Sequence, residues 1–114
     1  MATCDITAPN DADFSRVFQY KTLAGVPINI TGAVMWMMLR RRAADLTSVM
    51  RLATDTGEIT LIDAVNGKWS IFIEQEQLER IGVGEYAHSL IMELNGVKQE
   101  IWSGTFTNKA GPSR

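Results

Sequence analysis

The chain has one cysteine, one histidine and three prolines among 114 residues, and each scarcity removes a class of function. A single cysteine, Cys4, cannot close an intrachain disulfide. The fold is therefore expected to stand on its hydrophobic core alone, which suits a reducing cytoplasm. Zinc needs three or four Cys, His or carboxylate ligands in fixed spacing, and Cys4 with His88 is too thin a supply. Lys and Arg number 11 against 13 for Asp and Glu, a formal net charge of -2. That leaves no basic footprint for nucleic acid, which is not expected as a partner. The local exception is Arg40-Arg41-Arg42. Long apolar runs are also missing: residues 33–39 are the most apolar stretch, far short of the roughly 20 residues that span a bilayer. The opening MATCDITAPNDAD carries acids and a proline where a secretory leader needs a basic patch and an apolar run. A soluble protein without membrane attachment is expected.

Catalytic patterns are equally scarce. Gly82 and Gly84 precede a strand rather than a helix, so they do not form a phosphate-cradling loop. His88 sits mid-strand and Cys4 far from it in sequence, with nothing flanking either to support a nucleophile pair. His88 is therefore read as solvent-facing or partly packed. Glu74, Glu76 and Glu79 read as the charged face of a short surface helix rather than an acid–base pair. Asn10-Asp11-Ala12-Asp13 is the best calcium candidate, but it lacks the glycine and bidentate glutamate of a loop site. No enzyme, cofactor or metal site is expected.

What is present is β patterning. With 46% apolar residues, a chain of this length can bury one core and form one domain. Phe14, Val17, Phe18 and Tyr20 suggest a first strand, bent or bulged because the alternation slips once. Ile28-Asn29-Ile30-Thr31 alternates and ends at Gly32. Residues 46–54 form a weaker strand, and Ile59 and Leu61 alternate in a short one. Asn66-Gly67 and Asn95-Gly96 are hairpin signals, since a type I′ turn needs positive φ at both positions. Trp69, Ile71 and Ile73 follow the first, and residues 86–93 and 97–106 flank the second. The single helical candidate is 74–81, one or two turns that bridge two sheets, with Leu78 and Ile81 at i, i+3 spacing. Short strands with turn signals every 8–12 residues are the pattern of a β-sandwich. The expectation is an all-β, immunoglobulin-like antiparallel sandwich of about seven strands, with one short helical turn near 75–81. Residues 1–12 are expected as an N-terminal arm or short edge segment, 13–107 as the domain, and 108–114 as a loose tail. Gly84-Glu85-Tyr86, after a helical crossing, has the context of a tyrosine corner; an ordinary cross-strand aromatic pair is the alternative.

The residues most open to a binding role lie on the over-apolar strand. Met35 and Met37 point opposite to Trp36, so both faces of residues 33–39 carry bulk, and only one can pack a single core. The other must meet a second layer or a partner. Either Met35/Met37 or Val34/Trp36/Met38 supplies that face. Arg40, Arg41 and Arg42 either cap the strand with charge or touch a partner surface. Tryptophan is enriched at binding hot spots. The interface candidates are thus Trp36, Met38, Arg40, Arg41, Arg42 and Trp102.

Two segments carry a family resemblance. The run DFSRVFQYKTLAGVPINITGAVMWMMLRRR has an acidic start, an apolar strand and the positions Gly25, Pro27, Ile30, Thr31, Gly32 and Arg40. In the second half follow Gly57 to Leu61, Gly84 to Tyr86 and Trp102 to Phe106. Over residues 13–106 this pattern resembles small tailed-phage and prophage virion structural proteins, in particular the immunoglobulin-like N-terminal domain of phage baseplate upper proteins. The resemblance implies a tail, baseplate, neck or head-decoration component. It would be made in the host bacterial cytoplasm and carried in the virion, assembling as a homo-oligomer and with other virion structural proteins. No catalytic residue is carried over. Because the chain stops right after the domain, a C-terminal receptor-binding or fibre-attachment region is not expected. The second reading, from another class, is a small ligand- or carbohydrate-binding β-module with an exposed tryptophan, Trp69 or Trp102, as stacking platform.

Overall fold

Alternation of apolar and polar residues becomes two facing sheets in the computed structural model, which describes residues 2–112. The elements are β1 (Ala2–Thr3), β2 (Ile6–Pro9), β3 (Phe14–Gln19), β4 (Val34–Arg40), β5 (Met50–Ala53), β6 (Ile59–Asp63), β7 (Lys68–Ile73), α1 (Gln75–Ile81), β8 (Gly84–Leu94) and β9 (Val97–Lys109). The large sheet runs β1-β9-β8-β4-β5, with β2 also on β9, and the small sheet runs β3-β7-β6. All pairings are antiparallel except those of β1 and β2, which lie parallel to β9. The all-β sandwich expected from the pattern is the architecture observed.

The core lies between the sheets. Met35, Met37 and Leu39 of β4, Leu90 and Met92 of β8, and Trp102 and Phe106 of β9 meet Trp69, Ile71 and Ile73 of β7. Each such side chain contributes about 1.5–3 kcal/mol on burial. Phe18 bridges the layers, its ring 4.7 Å from that of Trp102 and 5.9 Å from that of Trp69. At the other end Phe14 meets Phe106 edge-on at 6.3 Å. β3 is not bulged: its register with β7 is unbroken from Phe14↔Ile73 to Gln19↔Lys68. The alternation slips in sequence because Arg16 takes an inward position between two phenylalanines. Its guanidinium lies 5.6 Å from the Phe14 ring and 5.9 Å from that of Phe18, an inward charge that protects an edge strand from pairing with strangers.

Both ends of the chain are more structured than their composition suggests. Of the two readings of residues 1–12, arm or short edge segment, residues 6–9 show the second: they extend the large sheet along β9, and Ile6 and Ala8 are buried. Nor are 108–111 loose. Asn108 is fully buried and its amide donates to the carbonyls of Leu78 (2.6 Å) and Gly82 (2.8 Å), which α1 leaves unsatisfied at its C-terminus. The Gly111 N–H donates to Asn10 Oδ1 at 2.8 Å. Residue 1 and residues 113–114, also assigned to the arm and tail, lie outside the described residues.

Other departures have local causes. Residues 28–31 form no strand: Asn29 Oδ1 accepts from the Thr31 N–H at 2.9 Å, and Ile30 is drawn into the core beside the Ala64 carbonyl. Of residues 46–54 only Met50–Ala53 pair, and Leu46 stands fully exposed. Asn66-Gly67 closes its hairpin through a 3-10 turn, with positive φ at Gly67 alone. Asn95-Gly96 behaves as expected, with φ of 55° and 78°. The tyrosine corner is present: Tyr86, buried on β8, donates its hydroxyl to the Ile81 carbonyl, with that of Gly82 2.8 Å away. Helix α1 starts with a reciprocal capping box between Glu74 and Gln77, and buries Leu78 and Ile81.

Candidate functional site: the outer face of the large sheet

Strand β4 resolves which of its two apolar faces meets the core. Met35, Met37 and Leu39 are fully buried, so Val34, Trp36, Met38 and Arg40 point to the outside of the sheet. Cross-strand register then builds the site. Arg40 lies opposite Ala87, Met38 opposite Ser89, and Trp36 opposite Ile91 on β8. On β9, Ser103 continues the row of Ser89. Large side chains on β4 beside small ones on β8 and β9 leave an open groove of about 430 Å³, lined also by Glu100.

Glu100 reaches this face through a β-bulge. Leu90 pairs with Trp102 but Ile91 pairs with Glu100, so Ile101 is an extra residue on β9. Ile101 and Trp102 are then both buried, and the carboxylate that simple alternation would send inward points out. Bulges re-aim side chains in this way. The sequence carries no turn residue to announce it, and Glu100 is not among the residues expected at an interface.

The other expected residues divide. Arg40 is half-buried, its guanidinium donating to the Asp45 carbonyl at 3.1 Å and lying 3.5 Å from Met38 Sδ. Arg41 leaves the strand and sits 5.5 Å over the ring of Tyr86. Arg42 is exposed in the next turn, its backbone N–H on Asp45 Oδ2 at 3.2 Å. The three consecutive arginines therefore do not form one patch, because the strand ends between the first and second. Trp102 is removed from the surface altogether: it packs against Trp69 at 5.8 Å and Phe18 in the core.

The single cysteine and single histidine meet, although not as a nucleophile pair. His88 faces inward on β8 opposite Gly104, and its Nε2 lies 2.8 Å from the carbonyl of Cys4 rather than from the thiol. Burial lowers the His88 pKa, opposed by the Cys4 carbonyl, Asp5 and the Thr105 backbone. Burial raises that of the Cys4 thiol, with Arg16 opposing and Asp5 reinforcing. Both shifts run against a thiolate–imidazolium pair, which needs a lowered thiol and a charged ring. His88 is instead a clasp that holds the N-terminal strand pieces to β8 across β9. A His88 pKa lowered by burial has a consequence for stability. Below the ordinary His pKa of 6.5 the unfolded chain binds more of a proton than the native chain, whose His88 burial holds lower, so stability drops as the pH is lowered through that window. Denaturant midpoints at pH 7.5 and 5.5 check this, and His88→Gln is expected to flatten the difference relative to the unaltered chain.

The Asn10–Asp13 cluster, the best calcium candidate of the sequence, takes part in the fold. Asn10 is buried and receives the Gly111 N–H, and Asp13 Oδ1 accepts the Gln75 N–H at 2.8 Å near the start of α1. Among the described residues no group of three or more His, Cys, Asp or Glu is placed to hold a metal ion, and no described helix is long and apolar enough to cross a membrane.

Comparison with known proteins agrees with this architecture. No protein-family model matches the chain, and neither does any curated protein. Among solved structures, the N-terminal domain of phage TP901-1 ORF48 is similar over 96% of this chain and 89% of that one, with a TM-score of 0.54 and 13% identity. At that identity the likeness is one of fold. The resemblance carried by the turn and strand motifs is thus matched in three dimensions: the chain has the fold of the N-terminal domain of a phage protein.

Proposed function

We propose that the chain is a non-enzymatic phage virion structural protein that acts by assembly with copies of itself and with other virion proteins. It is a tail, baseplate, neck or head-decoration component, made in the host bacterial cytoplasm and carried in the particle. The observation that supports this reading most is the match to the phage TP901-1 ORF48 domain, which extends over nearly all of both chains. The outer face of the large sheet supports it from the physical side. Trp36, Met38 and Ile91 form an apolar stripe across β4 and β8 that no third layer among the described residues covers, and such stripes mark interaction surfaces.

The two tryptophans expected as a carbohydrate platform, Trp69 and Trp102, are 1% and 6% exposed and present no ring to a sugar. The test is mass spectrometry of gradient-purified particles of the phage that encodes the chain. Tryptic peptides of the chain at a copy number comparable to other structural proteins are expected. A chain abundant in the lysate and missing from particles would overturn the proposal.

A further inference from the structure

We infer that the outer face of the large sheet is an isologous dimer interface, so that the groove is filled by the same groove of a second copy. This rests on the assembly reading above and names the partner of that same face. The bulge and the strand end put opposite charges on this face. Arg40 pairs with Ala87 and Glu100 with Ile91, four residues further along β8 and on its opposite flank. With strands about 4.8 Å apart and a rise of about 3.3 Å per residue, the two backbone positions stand about 16 Å apart at opposite corners of the groove. Between them lie the apolar side chains Trp36, Met38 and Ile91, with Ser89 at the centre.

A two-fold interface is self-complementary: what residue i of one copy meets in the other, the other's residue i meets in the first. A groove whose charged lining is Arg40 at one corner and Glu100 at the opposite one satisfies that condition. The in-plane axis perpendicular to the Arg40–Glu100 diagonal brings each arginine onto the partner copy's glutamate, making the contact twice. That axis passes close to Trp36, which occupies the third corner, so the two indoles meet one another across it. Arg40 is already oriented for this role, because Asp45 and Met38 hold one N–H each of its Nη atoms and leave its other donors available. Ser89, at the centre of the groove and on the axis, is small enough to let the two faces close there.

Charge reversal tests the identity of the occupant directly. Sedimentation equilibrium across a concentration series should show a dimer for the unaltered chain. Arg40→Glu and Glu100→Arg alone each place like charges together twice, and are expected to weaken dimerisation on the order of a hundredfold. An equimolar mixture of the two variants should dimerise again, with native mass spectrometry showing one of each in the complex. In that pair the carboxylate introduced at position 40 meets the guanidinium introduced at position 100, and the unaltered Arg40 meets the unaltered Glu100. Only a second copy as partner gives that rescue. Circular dichroism and melting of each variant keep the result separate from unfolding. A chain monomeric at millimolar concentration, single reversals that dimerise like the original, or a mixture that stays monomeric would each overturn the inference. Failure here and failure of the virion reading are distinguishable: a monomer found in particles sinks the dimer alone, and a dimer absent from particles sinks the virion role alone.

Discussion

Replacing Trp102 by alanine is expected to cost about 3–5 kcal/mol of folding stability and to leave the outer face of the large sheet unchanged. The side chain is 6% exposed and is the meeting point of both layers, with Phe18 at 4.7 Å and Trp69 at 5.8 Å. Truncation removes its transfer free energy and leaves a cavity between two other rings that cannot close on it. For a domain of this size a loss of that order lowers the melting temperature by roughly 12 °C or more. Trp102→Phe is expected to cost far less. It keeps a ring against Phe18 and removes an indole N–H that has no hydrogen-bond partner among the described residues. Thermal melts of the two variants decide the matter. A Trp102→Ala chain as stable as the original would show that the residue does not hold the layers together.

Gly104→Val is expected to release the N-terminal strand pieces from β9, at a cost of about 3 kcal/mol or more. A Cβ at this position would stand 2.2 Å from the Cys4 carbonyl oxygen and 2.8 Å from the Cys4 carbonyl carbon. These are backbone atoms that cannot rotate away. Displacing them breaks the clasp from His88 at 2.8 Å and the parallel pairing of Ile6 through Pro9, and re-exposes Ile6, now 1% exposed. Cys4 itself reports the event. Its thiol is partly buried and its pKa is held up by that burial, so both accessibility and thiolate fraction rise when the strand lifts. Reaction with a chromogenic disulfide is expected to accelerate strongly in Gly104→Val. Amide exchange should speed up at residues 6–9 before it does in β4 or β8. An unchanged thiol rate would show that the strand accommodates the side chain in place.

Most of the architecture follows from local pattern. Alternation along β7 and β8 dictates which residues face inward, and Asn95-Gly96 dictates the hairpin between β8 and β9, because positive φ at consecutive positions is open to few other residues. The helix over 75–81 is legible because Leu78 and Ile81 share a face. The tyrosine corner is legible from its neighbours. These are interactions between residues close in the chain, so their energies are present in the sequence window itself.

What lay beyond the window was decided by the tertiary structure. The segments 6–9 and 108–111 look loose because their burial and hydrogen bonds depend on partners outside any local window, β9 for the first, and Leu78, Gly82 and Asn10 for the second. Trp102 and Trp36 are chemically alike in sequence, and only the assembled sheets send one into the core and the other to the surface. The strand of residues 33–39, apolar on both sides, could not by itself say which face is spare; the packing of Met35, Met37 and Leu39 against β7 settles that. Glu100 belongs to the outer face solely because one extra residue is accommodated opposite Leu90 and Ile91. A slip of one position inverts every side chain on a strand, and register is a property of two strands together, not of either alone.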